Sequence, residues 1–199
     1  MKRDRKRQNP QSKQASAGSI RIIAGQWRGR KLPVLDAQGL RPTTDRTKET
    51  VFNWLMHDVR DARCLDLFAG SGGLGFEALS RYAKSVHFVE KDKRVAEQLR
   101  ANIATLKAPA IATQVTVNDA LNYLQNCSET FDLVFLDPPF QQDLLAPILD
   151  VLTKGNVLAE QAKIYIETER SLNELPAQFG LTCQKQKNTA QVAFGVWTR

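Results

Sequence analysis

Leu65-Asp66-Leu67-Phe68-Ala69-Gly70-Ser71-Gly72-Gly73-Leu74-Gly75-Phe76-Glu77-Ala78 reads as a buried strand that runs into a glycine turn and out into a helix. Residues 63–68 form a short apolar run with one acid inside it, and beyond the turn Phe76, Leu79 and Tyr82 recur at helical spacing. Between them Gly70, Gly72 and Gly75 fit G-x-G-x-x-G. Missing side chains there allow a tight turn, close approach of backbone to a ligand, and close packing of helix on strand. The pattern implies a nucleotide-like ligand at the helix N-terminus, although any tight strand-to-helix turn also selects glycine.

Downstream the same rhythm repeats. Residues 85–89 make a second strand ending at Glu90, about twenty residues past the first glycine, where a carboxylate can accept both ribose hydroxyls. A helix over 91–105 and a third strand over 111–117 follow, closed by Asn118-Asp119-Ala120. Asp119 suits either an adenine amino group or the N-cap of a helix over 120–125, and the two roles are compatible. Phe131–Leu136 is an apolar fourth strand, and it delivers Asp137-Pro138-Pro139-Phe140. Two prolines remove backbone donors and fix φ, so this segment projects rigidly with free carbonyls beside a carboxylate and an aromatic face. Such a group can hold an exocyclic amine.

A helix over 144–152, a fifth strand over 163–168 and a closing pair over 181–187 and 192–197, turning at Asn188-Thr189, complete the chain. The expectation is an α/β fold: a doubly wound, mostly parallel, seven-stranded sheet with an antiparallel C-terminal edge. In such sheets ligands sit beyond the carboxyl ends of the strands where strand order reverses, usually between the first strand and the fourth. The glycine loop and Asp137 are thus expected to be neighbours.

Upstream, residues 1–18 are rich in Lys, Arg, Gln and Ser and too poor in apolar residues to offset the entropy of ordering. They read as a disordered basic tail. Residues 19–42 read as a small hairpin and loop, with Arg28, Arg30 and Lys31 placed to meet phosphates and Trp27 to stack or pack. Residues 43–199 form the main domain. Leu40-Arg41-Pro42-Thr43-Thr44-Asp45-Arg46 leads into an amphipathic helix over 47–57, capped at Thr44 or Asp45, and its density of polar residues suggests a ligand-lining role.

The 199 residues carry a net charge of +7, unevenly spread. Positions 1–48 hold 13 Lys+Arg against 3 Asp+Glu, a net of +10, which leaves −3 for the rest. A basic end on a mildly acidic body points to a polyanionic partner, and to nucleic acid first. No apolar run is long enough for a membrane span and no apolar signal core opens the chain, so a cytoplasmic protein is expected. Cys64, Cys127 and Cys183 are widely spaced with no C-x-x-C, a pattern that argues against a zinc site.

An NAD enzyme would explain the glycines and Glu90 but gives no task to Asp137-Pro138-Pro139-Phe140. A methyl donor with an adenosine moiety uses both. Residues 66–75 resemble motif I of the class I S-adenosylmethionine-dependent methyltransferases, and residues 137–140 the (Asp/Asn)-Pro-Pro-(Phe/Tyr) motif of enzymes that methylate exocyclic amines. More closely, Arg21-Ile22-Ile23-Ala24-Gly25-Gln26-Trp27-Arg28-Gly29-Arg30, Arg41-Pro42-Thr43-Thr44-Asp45-Arg46 and Phe52-Asn53-Trp54-Leu55 are similar to the RsmD family of 16S rRNA guanine-N2 methyltransferases. The resemblance runs from about Ile20 to the C-terminus.

That resemblance implies a Rossmann-like fold and S-adenosylmethionine as cofactor, with no metal. It implies that Gly70, Ser71 and Gly72 line the methionine part, Glu90 the ribose and Asp119 the adenine, with Asp66, Phe68, Ala69, Gly75 and Asp137 also in the cofactor site. Asp137, Pro138, Pro139 and Phe140 would act on the base, and Arg28, Arg30, Lys31, Arg41, Thr43 and Arg46 on the RNA. The implied partner is 16S rRNA within the 30S subunit or an assembly intermediate, met by a monomer. Because the four-residue motif reads an amine and not a whole base, a DNA adenine-N6 or cytosine-N4 methyltransferase would use it equally. A catalytically inactive RNA-binding assembly factor is the alternative from another class.

Overall fold

Apolar strands that each feed a helix must return the chain to the same edge, and this alternation builds a parallel sheet. The computed structural model describes residues 18–35, 44–140, 143–169, 172 and 174–199. In chain order these hold β1 (Ser19–Arg21), β2 (Lys31–Pro33), α1 (Asp45–Trp54), β3 (Arg63–Asp66), α2 (Gly73–Ser80), β4 (Ser85–Glu90) and α3 (Lys93–Leu106). There follow β5 (Thr113–Val117), α4 (Ala120–Asn126), β6 (Phe131–Leu136), α5 (Leu145–Lys154), β7 (Leu158–Thr168), α6 (Leu175–Gln178), β8 (Thr182–Asn188) and β9 (Ala193–Thr198). The large sheet has the order β5-β4-β3-β6-β7-β9-β8. Its first five strands are parallel, and β9 runs antiparallel between β7 and β8. This is the expected seven-stranded sheet, and its order reverses between β3 and β6.

Side chains alternate across the sheet, so each strand feeds two cores. Along β6, Leu133 and Phe135 enter one cluster with Phe52, Phe76, Phe88 and the hairpin residues Ile20, Ile22 and Leu32. Val134 and Leu136 enter the other, with Leu124, Leu145, Ile148 and Leu149 of α4 and α5. Phe76 of α2 meets Phe88 of β4 at 5.0 Å between ring centroids, a pairing worth about 0.5–1.5 kcal/mol beyond its buried area.

The N-terminal hairpin, β1 with β2, forms its own two-stranded sheet and is pinned to α2 by buried polar groups. The wholly buried Glu77 carboxylate accepts the N–H groups of Ile23 at 2.7 Å and Ala24 at 3.0 Å, and Arg81 Nε at 2.7 Å. Ser80, the last residue of α2, accepts the Gln26 N–H on its carbonyl at 2.8 Å and the Trp27 N–H on its hydroxyl at 3.0 Å. Gly25 fits here because a Cβ would lie 1.8 Å from the Ser80 carbonyl oxygen. Lys48, 1% exposed, reaches from α1 to donate to the Arg21 carbonyl at 2.5 Å.

Several boundaries differ from expectation. The third strand begins at Thr113 and not at 111, because Pro109 caps a 3-10 turn over Ala110–Ala112 that leaves Ile111 97% exposed. The first helix starts at Asp45 and ends at Trp54, with the Thr44 side chain accepting the Thr47 N–H at 3.2 Å as its N-cap. The fifth parallel strand is longer than 163–168, since β7 starts at Leu158 and passes an irregularity in its pairing with β6 where Gln161 has φ +64°. Of the basic tail expected over 1–18, residues 1–17 lie outside the described residues, while the Gly18 carbonyl accepts the Val34 N–H at 2.9 Å and so belongs with the hairpin.

Candidate active site

A cavity of about 1000 Å³ opens at the carboxyl ends of the parallel strands, within the size range of small-molecule sites. Its first wall is the turn from β3 into α2. Gly70 donates its N–H to Glu90 Oε2 at 2.9 Å, and Gly72 N–H closes the turn on the Ala69 carbonyl at 2.7 Å. Asp92 N–H occupies the other Glu90 oxygen at 2.8 Å, so the acid at the end of β4 is fixed by two backbone donors. Each carboxylate oxygen still has acceptor capacity for a ligand.

Asp66, at the end of β3, is buried and accepts the Gly75 N–H at 3.0 Å. Burial pushes its carboxyl up to about 7, and the nearby Glu90 charge adds to the rise while the Gly75 N–H opposes it. The glycines divide into two kinds. Gly70 and Gly73 line the cavity beside Ser71, whereas Gly72 and Gly75 are not on its wall. A Cβ on Gly72 would lie 2.4 Å from Phe76 Cε2, and one on Gly75 would lie 2.2 Å from Phe88 Cε1. These two let α2 sit against β4 and α3, which answers the helix-packing part of the glycine pattern.

The second wall is the end of β5, with Asn118, Asp119 and Ala120. Asp119 caps α4: its Oδ1 accepts the N–H groups of Leu121 at 2.9 Å and Asn122 at 3.2 Å. It lines the cavity at the same time, so capping and lining are held by one side chain.

The third wall is Asp137, Pro138, Pro139 and Phe140 after β6, with Glu167 at the end of β7. The Tyr165 hydroxyl donates to Glu167 Oε2 at 2.6 Å. Burial, then the charges of Glu167 and Asp137, push the Tyr165 hydroxyl well above its ordinary range, so it remains a donor. The rim is polar: Thr44 capping α1, Arg46, Thr47 and Thr50 within it, Lys91 after β4, Lys187 near the end of β8, and Thr189 and Gln191 in the turn to β9.

Asp66, Phe68, Ala69, Gly70, Ser71, Glu90, Asp119, Asp137, Pro138, Pro139, Phe140 and Arg46 therefore meet around one cavity. Arg28, Arg30 and Lys31 do not line it. Gln26 and Trp27 contact Ser80, the last residue of α2, while Gly73, the first, lines the cavity. The turn bearing Arg28 and Arg30 is thus offset by the length of that helix, roughly 12 Å. Trp27 packs against the first core cluster. Arg41 and Thr43 lie outside the described residues. Glu167, Lys91, Lys187, Thr189 and Gln191 escaped the sequence reading. Glu167 had a signal, an acid ending an apolar strand as Glu90 does, while Lys187 read as the end of an edge strand and Thr189 and Gln191 as part of the connection after it.

The sheet order sets Asp119, Glu90, the glycine loop and Asp137 side by side at the ends of β5, β4, β3 and β6. With neighbouring strands about 4.8 Å apart, this row spans roughly 14 Å. An elongated ligand with an amino group, a diol and an amino-purine would meet an acceptor at each station, so the residues present fit S-adenosylmethionine.

Residues 20–197 match the family described as Conserved hypothetical protein 95. The Ribosomal RNA small subunit methyltransferase D of Haemophilus influenzae is 48% identical over 195 residues, covering 97% of this chain and 98% of that one. Its namesake in Escherichia coli is 47% identical over 187 residues, covering 93% and 92%. Among solved structures, the Escherichia coli protein yhhF superposes with a TM-score of 0.83 at 45% identity, covering 92% of this chain and 98% of that one. A Haemophilus influenzae methylase structure gives 0.79 at 45% identity, covering 91% and 98%. A match across nearly the whole sheet and hairpin, with relatives of this identity, makes the chain a member of the Conserved hypothetical protein 95 family, that of the RsmD methyltransferases.

Proposed function

We propose that this protein methylates the exocyclic N2 amine of a guanine in 16S ribosomal RNA. It would do so in the cytoplasm, as a monomer, on the 30S subunit or an assembly intermediate. The observation that carries this reading is the junction of two half-sites in one cavity: the acceptor row of Asp119, Glu90 and the glycine loop, and Asp137-Pro138-Pro139-Phe140 across the point of strand reversal. The names of the relatives supply the RNA class.

Gly70, Ser71 and Gly73 would hold the methionine end of S-adenosylmethionine, Glu90 its ribose and Asp119 its adenine. When bound, S-adenosylmethionine supplies an electrophilic methyl group. The chain's own part is to prepare the nitrogen. A guanine N2 lone pair is delocalised into the ring and weakly nucleophilic. The Asp137 carboxylate and the Pro138 carbonyl accept from the two amine hydrogens, which favours a more tetrahedral nitrogen, and Phe140 stacks on the base. Holding the amine in line contributes through positioning, which can be worth several kcal/mol. Asp137 is also the acid placed to orient, or to receive, the proton that the nitrogen sheds.

For the RNA, Arg46 and Lys187 at the cavity mouth would meet phosphates flanking the target base. Arg28, Arg30 and Lys31 would add attraction further out, with Arg41, Thr43 and the basic tail. Labelled methyl transfer to naked 16S rRNA, 30S subunits and duplex DNA tests the reading. Asp137→Ala is expected to cut transfer by orders of magnitude while calorimetry finds cofactor affinity preserved. Turnover within a few-fold of wild type would make Asp137 structural, and preferential methylation of duplex DNA would overturn the RNA assignment.

A further inference from the structure

Glu167 is a buried acid that the transfer chemistry described above leaves without a role. It is 6% exposed, yet it lines the cavity. Strands β6 and β7 are parallel with Leu136 paired to Ile166, so Asp137 and Glu167 follow at adjacent register positions, about one strand spacing apart. The Tyr165 hydroxyl bonds to Glu167, and after burial the negative charges of Glu167 and Asp137 raise it above its ordinary range. Phe194 stands opposite Glu167 on β9, so the site has an apolar back.

Burying a carboxylate is costly, and a hydrophobic residue would pack there at lower cost. The Tyr165 hydroxyl donates to Glu167 Oε2 at 2.6 Å and orients the group, and a carboxylate so held retains lone pairs for a further donor. A second acceptor beside the one that holds the amine distinguishes the bases. Guanine presents N1–H directly next to its N2 amine, two donors in a row. Adenine and cytosine present a ring nitrogen lone pair next to theirs, which a carboxylate repels.

We infer that Glu167 is the base-selecting residue: it accepts the N1–H of guanine while Asp137 holds the adjacent N2 amine. This rests on the methylation of a guanine N2 proposed above. It explains how a motif that reads only an amine becomes specific for one base.

The test uses RNA in which the guanine methylated by the wild-type protein is replaced by 2-aminopurine, which keeps the N2 amine and has an acceptor at N1. Wild type should disfavour 2-aminopurine by at least about 100-fold in kcat/KM, since its buried acceptor meets a lone pair. Glu167→Gln can turn its amide N–H toward that nitrogen. It should lose activity on guanine and shift the ratio toward 2-aminopurine by about 100-fold, with cofactor Kd unchanged. Tyr165→Phe keeps the acid and releases its orientation, so it should weaken the discrimination about tenfold. Equal loss on both bases in Glu167→Gln, or an unchanged ratio in both variants, overturns the inference while leaving the methyl transfer intact. Failure of the wild type to methylate guanine RNA at all removes the proposed function, and this inference with it.

Discussion

Glu90 and Gly70 are joined across the ends of two parallel strands, with the Gly70 N–H donating to Glu90 Oε2 at 2.9 Å while Asp92 N–H holds Oε1 at 2.8 Å. One acid therefore sets both the glycine loop and the start of the next helix, and presents its remaining lone pairs to the cavity. Glu90→Ala is expected to weaken cofactor binding at least tenfold, roughly the worth of one charge-assisted hydrogen bond. Glu90→Gln, with one carbonyl acceptor, should fall between. Calorimetry on both variants checks this, and undiminished affinity in Glu90→Ala would remove Glu90 from the cofactor site.

Gly72 and Gly73 are neighbours with different burdens. Gly72 has φ +78°, and a Cβ there would lie 2.4 Å from Phe76 Cε2 and 2.7 Å from Leu99 Cδ2. Gly72→Ala should therefore destabilise the fold by about 1–3 kcal/mol through overpacking and backbone strain. At Gly73 the nearest atoms are Ser71 Oγ at 3.7 Å and Lys48 Cδ at 3.9 Å, ordinary van der Waals distances. Gly73→Ala should keep its Tm and lose cofactor affinity, because the methyl group enters the cavity wall. Thermal melts beside calorimetry separate the two; a stable Gly72→Ala contradicts the packing role.

Asp66 makes stability depend on pH. Its carboxyl is raised to about 7 in the folded protein, against about 3.9 in an unfolded chain. Between those values the folded state binds more protons, so the contribution of Asp66 to stability is fully present below about pH 4 and is lost as pH rises through about 7. Asp66→Asn removes the titration. In urea melts without cofactor, the stability of wild type relative to Asp66→Asn should decline across that window and level off above it. A difference that stays flat with pH would show that Asp66 is ionised throughout.

Arg28 and Arg30 should behave differently from Arg46 and Lys187. Each phosphate left without its cation flattens the slope of log affinity against log salt by about 0.7–0.9. Arg28→Gln with Arg30→Gln should lower affinity and flatten the slope while keeping kcat at saturating 30S subunits, because that turn is offset from the cavity by the length of α2. Arg46→Gln with Lys187→Gln should lower both affinity and kcat. If the hairpin pair lowers kcat as strongly as the rim pair, the RNA crosses the hairpin on its way to the active site.

Much of the site was legible because its acids stand where apolar runs stop. Glu90 ends a strand and Asp119 and Asp137 follow one, and parallel topology gathers strand ends. The sheet itself was legible for the same reason, down to its antiparallel edge. What stayed hidden depends on neighbours that sequence does not declare. The relation of Glu167 to Asp137 exists only through the register of β6 on β7. The arginines around Trp27 read as a phosphate surface, yet the backbone between them is committed to Glu77 and Ser80, more than fifty positions away in the chain. The glycine pattern was visible, but which glycine lines the cavity and which faces Phe76 or Phe88 follows only from the packing of α2.

The clamp of Glu77 on the hairpin also fixes how short the protein can be made. A version beginning at Gly18 retains every donor to that carboxylate found among the described residues. One beginning at Gly25 discards the Ile23 and Ala24 N–H groups and leaves, among the described residues, Arg81 as the partner of a buried charge. Taking two N–H donors away from a buried carboxylate costs about 1–3 kcal/mol for each, a large share of what a domain this size has to spare. Because Glu77 sits on the helix that the glycine loop begins, the hairpin belongs to the smallest working enzyme, and fragments designed around the sheet alone would forfeit the loop along with it.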